Sequence, residues 1–276
     1  VMERLGLGPD DCMKRNSRLV YGRMTGWGQD GPLAERAGHD ANFVALSGIM
    51  EVIGKSGDGP VYPPMLAGDL AGGGAYLSIG ILAALLESSR SGQGQVIDAA
   101  ILDGAVSMLT PFFGLQAAGM WSEHKGENLL DGAAPFVAAY RTRDGGHIFV
   151  SPLEPKFFAV MLDALGIDDI DIGRQYDEAY WPFIRKRLKE AFASRDRDEW
   201  ASMLEGVDAC CTPVLRSAEL GLHEHIRDRK LVVAVDGLEQ PAPAPRFSRT
   251  VSKLRHGPGG QESSRDILNR WGVERP

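Results

Sequence analysis

The chain has 276 residues, 43% of them hydrophobic and 24% charged, which is the composition of an ordinary globular protein with room for one large and one smaller domain. Its formal net charge of -7 at pH 7 leaves no surplus of Lys and Arg for neutralising phosphates, so no nucleic-acid partner is expected. The longest apolar run, 75–86, is interrupted by Ser78 and Gly80 and falls short of the roughly 18 residues of a membrane span; it predicts a buried helix and no membrane association.

In chain order, Val1 opens on what reads as the middle of a domain, without a targeting segment, and a missing upstream portion is expected. Residues 18–24 (RLVYGRM) alternate apolar and polar and predict a strand, followed by a turn at 27–32 (WGQDGP). Asp40 is placed as the cap of a helix over 41–46 that ends near Gly48, with His39 at its entrance. The Gly- and Pro-rich stretch 54–64 predicts a loop that delivers Asp69 to the start of the apolar helix, where unpaired N–H groups and the helix dipole favour negative charge. A strand over 95–100 and an apolar continuation over 102–109 complete a β/α alternation, which predicts a parallel sheet.

Residues 111–135 lack a clear period and are expected to be a linker between a large domain, 1–110, and a small α+β domain, 136–216. The small domain is expected to contain a hairpin (136–141 and 147–151, turning at 144–146), helices over 154–165, 181–193 and 195–205, and a short strand at 211–215. The last of these helices is started by Ser194 or Asp196. Residues 217–276 then return to the large domain through a charged helix, 220–230, and a stretch stiffened by Pro241, Pro243 and Pro245.

Cys12, Cys210 and Cys211 form no even framework and no C-x-x-C motif, so reduced structural thiols and a cytoplasmic setting are expected. His223-x-His225 lacks a third ligand at a recognised spacing, and no metal is expected. Neither a dinucleotide fingerprint, a Walker loop nor a G-x-S-x-G elbow occurs.

Two glycine-flanked ionisable residues remain, His39 in AGHDANF and Asp69 in AGDLAGGG. Histidine titrates near neutrality and suits proton transfer, a carboxylate can be its partner, and neighbouring glycines let a bulky ligand approach the backbone. The same residues also fit plainer roles: a loop or capping histidine, an N-cap aspartate, and Gly72-Gly73-Gly74 for close helix packing. Spacing alone leaves both readings open.

Five ordered motifs carry a resemblance over nearly the whole chain: GRMTGWGQDGP (22–32), AGHDANF (37–43), AGDLAGGG (67–74), GQGQVIDAAILDG (92–104) and APAPRFSRT (242–250). Together they resemble the family III CoA transferases, the CaiB/BaiF family. That resemblance implies a Rossmann-like large domain, a small α+β domain and an interlocked homodimer whose active sites lie between the large domain of one chain and the small domain of the other.

Racemases of this family place a histidine and an aspartate on opposite faces of the substrate α-carbon, and His39 and Asp69 stand at those positions. The implied activity is inversion of the α-carbon of 2-methylacyl-CoA thioesters, with Glu154 supporting the histidine and no cofactor beyond the CoA of the substrate. Gly38, Asp40, Ala41, Asn42, Phe43, Gly68, Leu70, Ala71, Gly72 and Gly73 are the substrate- and CoA-binding positions the resemblance implies. Two alternatives follow from the same family: CoA transfer with Asp69 as nucleophile, and a truncated chain that keeps the fold without the activity. Family members carry an upstream portion with the first sheet strands and the basic residues that hold the CoA adenine and phosphates, and the sequence does not contain it.

Overall fold

The structure is a computed structural model that describes residues 1–254, 256–257 and 262–273; the other positions of the expected return segment 217–276 lie outside the described residues. Two compact units divide at Thr212 and Pro213.

In the first unit, a 3-10 turn (Glu3–Leu5) and α1 (Pro9–Arg15) precede β1 (Val20–Thr25). The chain continues through α2 (Asp40–Ser47) and α3 (Ile49–Val52) to a π-helix, Leu66–Ala75, that runs straight into α4 (Tyr76–Ser91). Next come β2 (Gln95–Ala100), α5 (Ile101–Ser107) and α6 (Thr110–Ala117). β1 and β2 pair in parallel, Val20 opposite Gln95 through Thr25 opposite Ala100, with the helices as crossover; this is the Rossmann-like α/β arrangement expected.

The α4 crossover lies on the two strands because small residues permit it. A Cβ on Gly22 would meet Leu77 Cδ1 at 2.9 Å, and one on Gly80 would meet Ile97 Cγ2 at 3.0 Å. The π-helix approaches α5 more closely still, since a Cβ on Gly72 would stand 2.8 Å from the Ile101 carbonyl oxygen and one on Gly104 would overlap the Gly72 carbonyl.

Two expectations are corrected here. The run 75–86 is not a buried helix: Ala84 and Ser88 are the buried residues of α4, whereas Ile79 and Leu82 are 62% and 68% exposed. Together, the π-helix and α4 make a 26-residue stretch long and apolar enough to cross a membrane by length and composition, yet one side of it rests on β1 and β2. Residues 111–135 also are not wholly irregular, because α6 occupies their start, its Pro111 sitting in the first turn where a missing N–H costs nothing.

The rest of the first unit has its own apolar core. β3 (Ala138–Arg141) and β4 (His147–Val150) form the expected antiparallel hairpin, and α7 (Pro155–Leu165), α8 (Trp181–Phe192) and α9 (Arg197–Leu204) follow. Asp196, of the two candidates, caps α9, its backbone N–H donating to Glu199 at 2.8 Å. β5 (Cys211–Pro213) is the third strand of that sheet. Phe136, Tyr140, Ile148, Phe158, Ile184 and Phe192 pack at its centre, and the Tyr140 hydroxyl donates to the Pro135 carbonyl. Val44, Ile49, Ala105 and Leu109 form a separate, smaller core between α2 and α5. The three cysteines are free thiols, and burial pushes Cys211 up to about 12.

In the second unit, the expected helix over 220–230 is split at His223 into a 3-10 segment (Ser217–Leu222) and α10 (Glu224–Asp228). A hairpin of β6 (Val232–Val235) and β7 (Leu238–Pro241), which the prolines of the segment concealed, follows, and α11 (Ser264–Arg270) closes the described chain.

The glycine contacts give a stability prediction. Gly72→Ala is expected to destabilise by about 1–3 kcal/mol through overpacking against α5. Gly114→Ala, in the middle of α6 with nothing within 4 Å of its Cβ position, is expected to be neutral or stabilising. Thermal unfolding of the two variants, measured side by side, separates the roles.

Candidate functional site

His39 is the residue immediately before α2, in an extended conformation, and its backbone N–H donates to the Asn42 side-chain oxygen at 3.0 Å. Its imidazole is exposed. The expected cap, Asp40, is instead the first residue of the helix, because its carboxylate is committed elsewhere.

Asp40 is 6% exposed. One of its oxygens accepts from the Tyr62 hydroxyl at 2.7 Å and from the Met65 N–H at 3.2 Å, and the other accepts from the Asp69 N–H at 2.6 Å. Three donors from the 54–64 loop and the π-helix thus converge on the residue next to His39. Asp69 is half-buried in the first turn of the π-helix, and among the described residues no hydrogen bond or ion pair engages its carboxylate. The structure therefore brings His39 and Asp69 onto one scaffold, joined by Asp40.

The Tyr62 phenol is held above its ordinary range, chiefly because its proton is shared with Asp40, with burial and the charges of Asp40 and Asp69 acting the same way. Sequence reasoning passed over Tyr62; a tyrosine inside a Gly/Pro loop between the two motifs was the signal.

The glycines beside the two residues face protein rather than open space. A Cβ on Gly38 would meet the Phe43 ring at 2.7 Å and the Trp27 ring at 2.8 Å; these rings stand edge to face at 4.6 Å. A Cβ on Gly68 would overlap an Asp40 oxygen, and one on Gly73 would meet Ile101 Cγ1 at 2.9 Å and Met24 Sδ at 3.0 Å. Phe43 is buried under Trp27, so its ring is a packing element of this scaffold. Asn42 and Leu70 are exposed, and Ala41 and Ala71 half-buried.

The N–H groups of Asp69 and Leu70, expected to be free donors at a helix start, are engaged: the first by Asp40, the second by the Met65 carbonyl at 3.0 Å. Glu154 is exposed just before α7, beside the other core, and no hydrogen bond joins it to His39 or Asp69 among the described residues.

Comparison with known proteins gives the family of the chain. Residues 1–262 match the sequence profile described as CoA-transferase family III. The chain is similar to alpha-methylacyl-CoA racemase of Mus musculus, 40% identical over 277 residues that make up 99% of this chain and 72% of that protein. It is also similar to alpha-methylacyl-CoA racemase of Homo sapiens, 37% identical over all of this chain and 73% of that one. A crystal structure of a CaiB/BaiF family protein from Brucella suis shares the fold, with a TM-score of 0.77 at 24% identity over 99% of this chain and 72% of that chain.

The Asp40 cluster yields a pH prediction. A tyrosine whose folded value is raised stabilises the fold fully below its unfolded value, near 10, and that contribution is lost as pH rises through the folded value. Stability is therefore expected to fall in the alkaline range above pH 10, and Tyr62→Phe to remove that part of the slope. Denaturant titrations between pH 8 and about 12, with phenolate absorbance followed in parallel, measure it.

Proposed function

The chain belongs to CoA-transferase family III, and from that premise we propose that it is an isomerase acting on acyl-CoA, a racemase that inverts the α-carbon of 2-methylacyl-CoA thioesters. The observation that carries this reading is the Asp40 carboxylate, which fixes the His39 helix entrance and the Asp69 turn to each other while both reactive side chains stay outside the core.

Inversion at the α-carbon requires a base on each face. One of His39 and Asp69 removes the α-proton, and the C–H electron pair moves into the thioester as an enolate. The other residue returns a proton to the opposite face, so atoms and charge balance and no redox partner is needed. Because the reaction is a proton exchange, CoA enters as part of the substrate and no further cofactor is invoked.

An enolate oxygen needs donors aimed at it, and losing one such donor typically costs about 3 kcal/mol of barrier. With the Leu66, Asp69 and Leu70 N–H groups taken and Gly68 buried, the half-buried Ala67 N–H is the donor that the start of the π-helix leaves without an intrahelical acceptor. Glu154 has no partner in its own chain's His39, which fits a homodimer in which Glu154 of one copy supports His39 of the other. Three cysteines that form no even framework fit a reducing, cytoplasmic setting.

The test is incubation with (2R)-2-methylacyl-CoA in D2O. α-Deuteration together with epimerisation is expected, and His39→Ala and Asp69→Asn are each expected to lower the rate by at least about a hundredfold. Wild-type exchange in both variants would remove the two-base mechanism. CoA passing to an added carboxylate, without exchange, would establish Asp69 as an acyl-transfer nucleophile instead.

A further inference from the structure

Apart from the His39–Asp69 scaffold, the first unit contains a cavity of about 960 Å³, near the upper end of the roughly 300–1,000 Å³ that small-molecule sites occupy. Neither His39 nor Asp69 lines it. Its walls come from the end of α3 and the residues after it, from α6 and the segment beyond, from β3 and β4, and from α8. The lining is mainly apolar: Val52, Ile53, Phe112, Leu115, Trp121 and Phe149 supply most of the large side chains. Phe112 and Trp121 hold each other edge to face at 4.9 Å. On the hairpin, Ala139 and Phe149 sit opposite each other and face away from the core, into which Ala138, Tyr140, Ile148 and Val150 point.

The charge on these walls is mainly positive. α8 carries four cations in its middle, and they sort by face. Lys186 pairs with Glu190 at 3.9 Å, and Arg187 pairs with Asp169 and Glu190, each at 2.8 Å. Arg185 and Lys189, one turn apart on the face that lines the cavity, have no acidic partner among the described residues. Arg185 uses Nη2 alone, donating to the carbonyls of Gly132 and Ala133, which leaves Nε and Nη1 available. On the facing wall the Lys55 ammonium has no ion pair among the described residues, while the Lys55 backbone N–H donates to the Asp58 carboxylate at 3.3 Å. The one acid of the lining, Asp131, is saturated by the N–H groups of Gly126 and Asn128 and the Asn128 side-chain amide, at 2.8, 2.9 and 2.7 Å.

A large, mainly apolar cavity edged by three cations that form no ion pair among the described residues, in a chain whose net charge is -7, is complementary to an anionic amphiphile. We propose that this cavity is a second binding site, for a long-chain carboxylate: the tail lies against Phe112, Trp121 and Phe149, and the head is held by Arg185, Lys189 and Lys55. The planar Arg185 fork suits a carboxylate head, and the two ammonium groups add charge without fixing geometry.

The experiment is titration calorimetry of the whole chain with dodecanoate below its micelle concentration, with dodecanol and hexanoate as comparison ligands. One saturable site for dodecanoate is expected, with both comparison ligands at least about tenfold weaker. Lys189→Glu, at an exposed position, is expected to weaken dodecanoate by about tenfold or more, while His39→Ala and Asp69→Asn leave it unchanged. Ala139→Phe reads the same site by volume: its ring would enter the cavity opposite Phe149 without touching the core, and binding should be lost while the far-UV spectrum is kept. The proposal is overturned by equal affinity for dodecanol, by loss of binding in the His39 and Asp69 variants, or by the absence of saturable binding, as when a second copy of the chain covers the cavity.

Discussion

A buried carboxylate that accepts from three donors, at Tyr62, Met65 and Asp69, holds the site together. Asp40 is almost fully out of water, and an isolated ionised carboxylate there would cost several kcal/mol. Hydrogen bonds from the Tyr62 hydroxyl and from two backbone N–H groups offset that cost, with no neutralising cation among the described residues. The dependence runs both ways. Met65 adopts a left-handed conformation, φ 56°, that disfavours a non-glycine residue, and its N–H is one of the three donors, so the carboxylate also stabilises the turn that starts the π-helix. Without Asp40, two N–H groups and a phenol would lack their acceptor, and Asp69 would lose its tether to the residue beside His39.

Close backbone approach makes this tether possible. Gly68 has no side chain because an Asp40 oxygen occupies the place of its Cβ, and Gly72 has none because α5 does. A π-helix is a rare choice, found most often where a function depends on local geometry. Here its wider turn lets Leu66–Ala75 rest on α5 with glycine against glycine while its first turn still reaches Asp40. The glycines of AGDLAGGG thus act through packing that positions Asp69, which is one of the plainer roles the motif allowed.

Local pattern was legible in the sequence, and long-range commitment was not. The β3–β4 hairpin, α7, α8 and the parallel strands follow from alternation and helical spacing, which are properties of neighbouring residues. Asp40 was misplaced as a cap because capping rules weigh only nearby N–H groups, whereas its partners lie 22 to 29 residues away. The run 75–86 was read as buried because it is apolar all round; apolarity cannot tell a helix enclosed on every side from one that rests on two strands. The β6–β7 hairpin did have a signal, Asp236-Gly237 directly after the apolar run Val232–Val235, and both take positive φ, 54° and 77°, as a tight hairpin turn requires. His39 and Asp69 stood out only through the ordered motifs around them, since neither residue's spacing distinguishes a catalyst from a cap.

The site divides its ionisable groups by commitment. Asp40 is enclosed and holds three donors, so it is well placed to fix geometry. His39 is exposed, and the Asp69 carboxylate is unengaged among the described residues, so the groups free to react are the two that Asp40 positions. Tyr62 stands between the two kinds: its proton is shared with Asp40, and the negative charges of Asp40 and Asp69 both resist its ionisation. It therefore remains a hydrogen-bond donor to Asp40. That keeps the support beneath the two reactive side chains in place, which is the condition under which a base can turn over without loosening the scaffold that aims it.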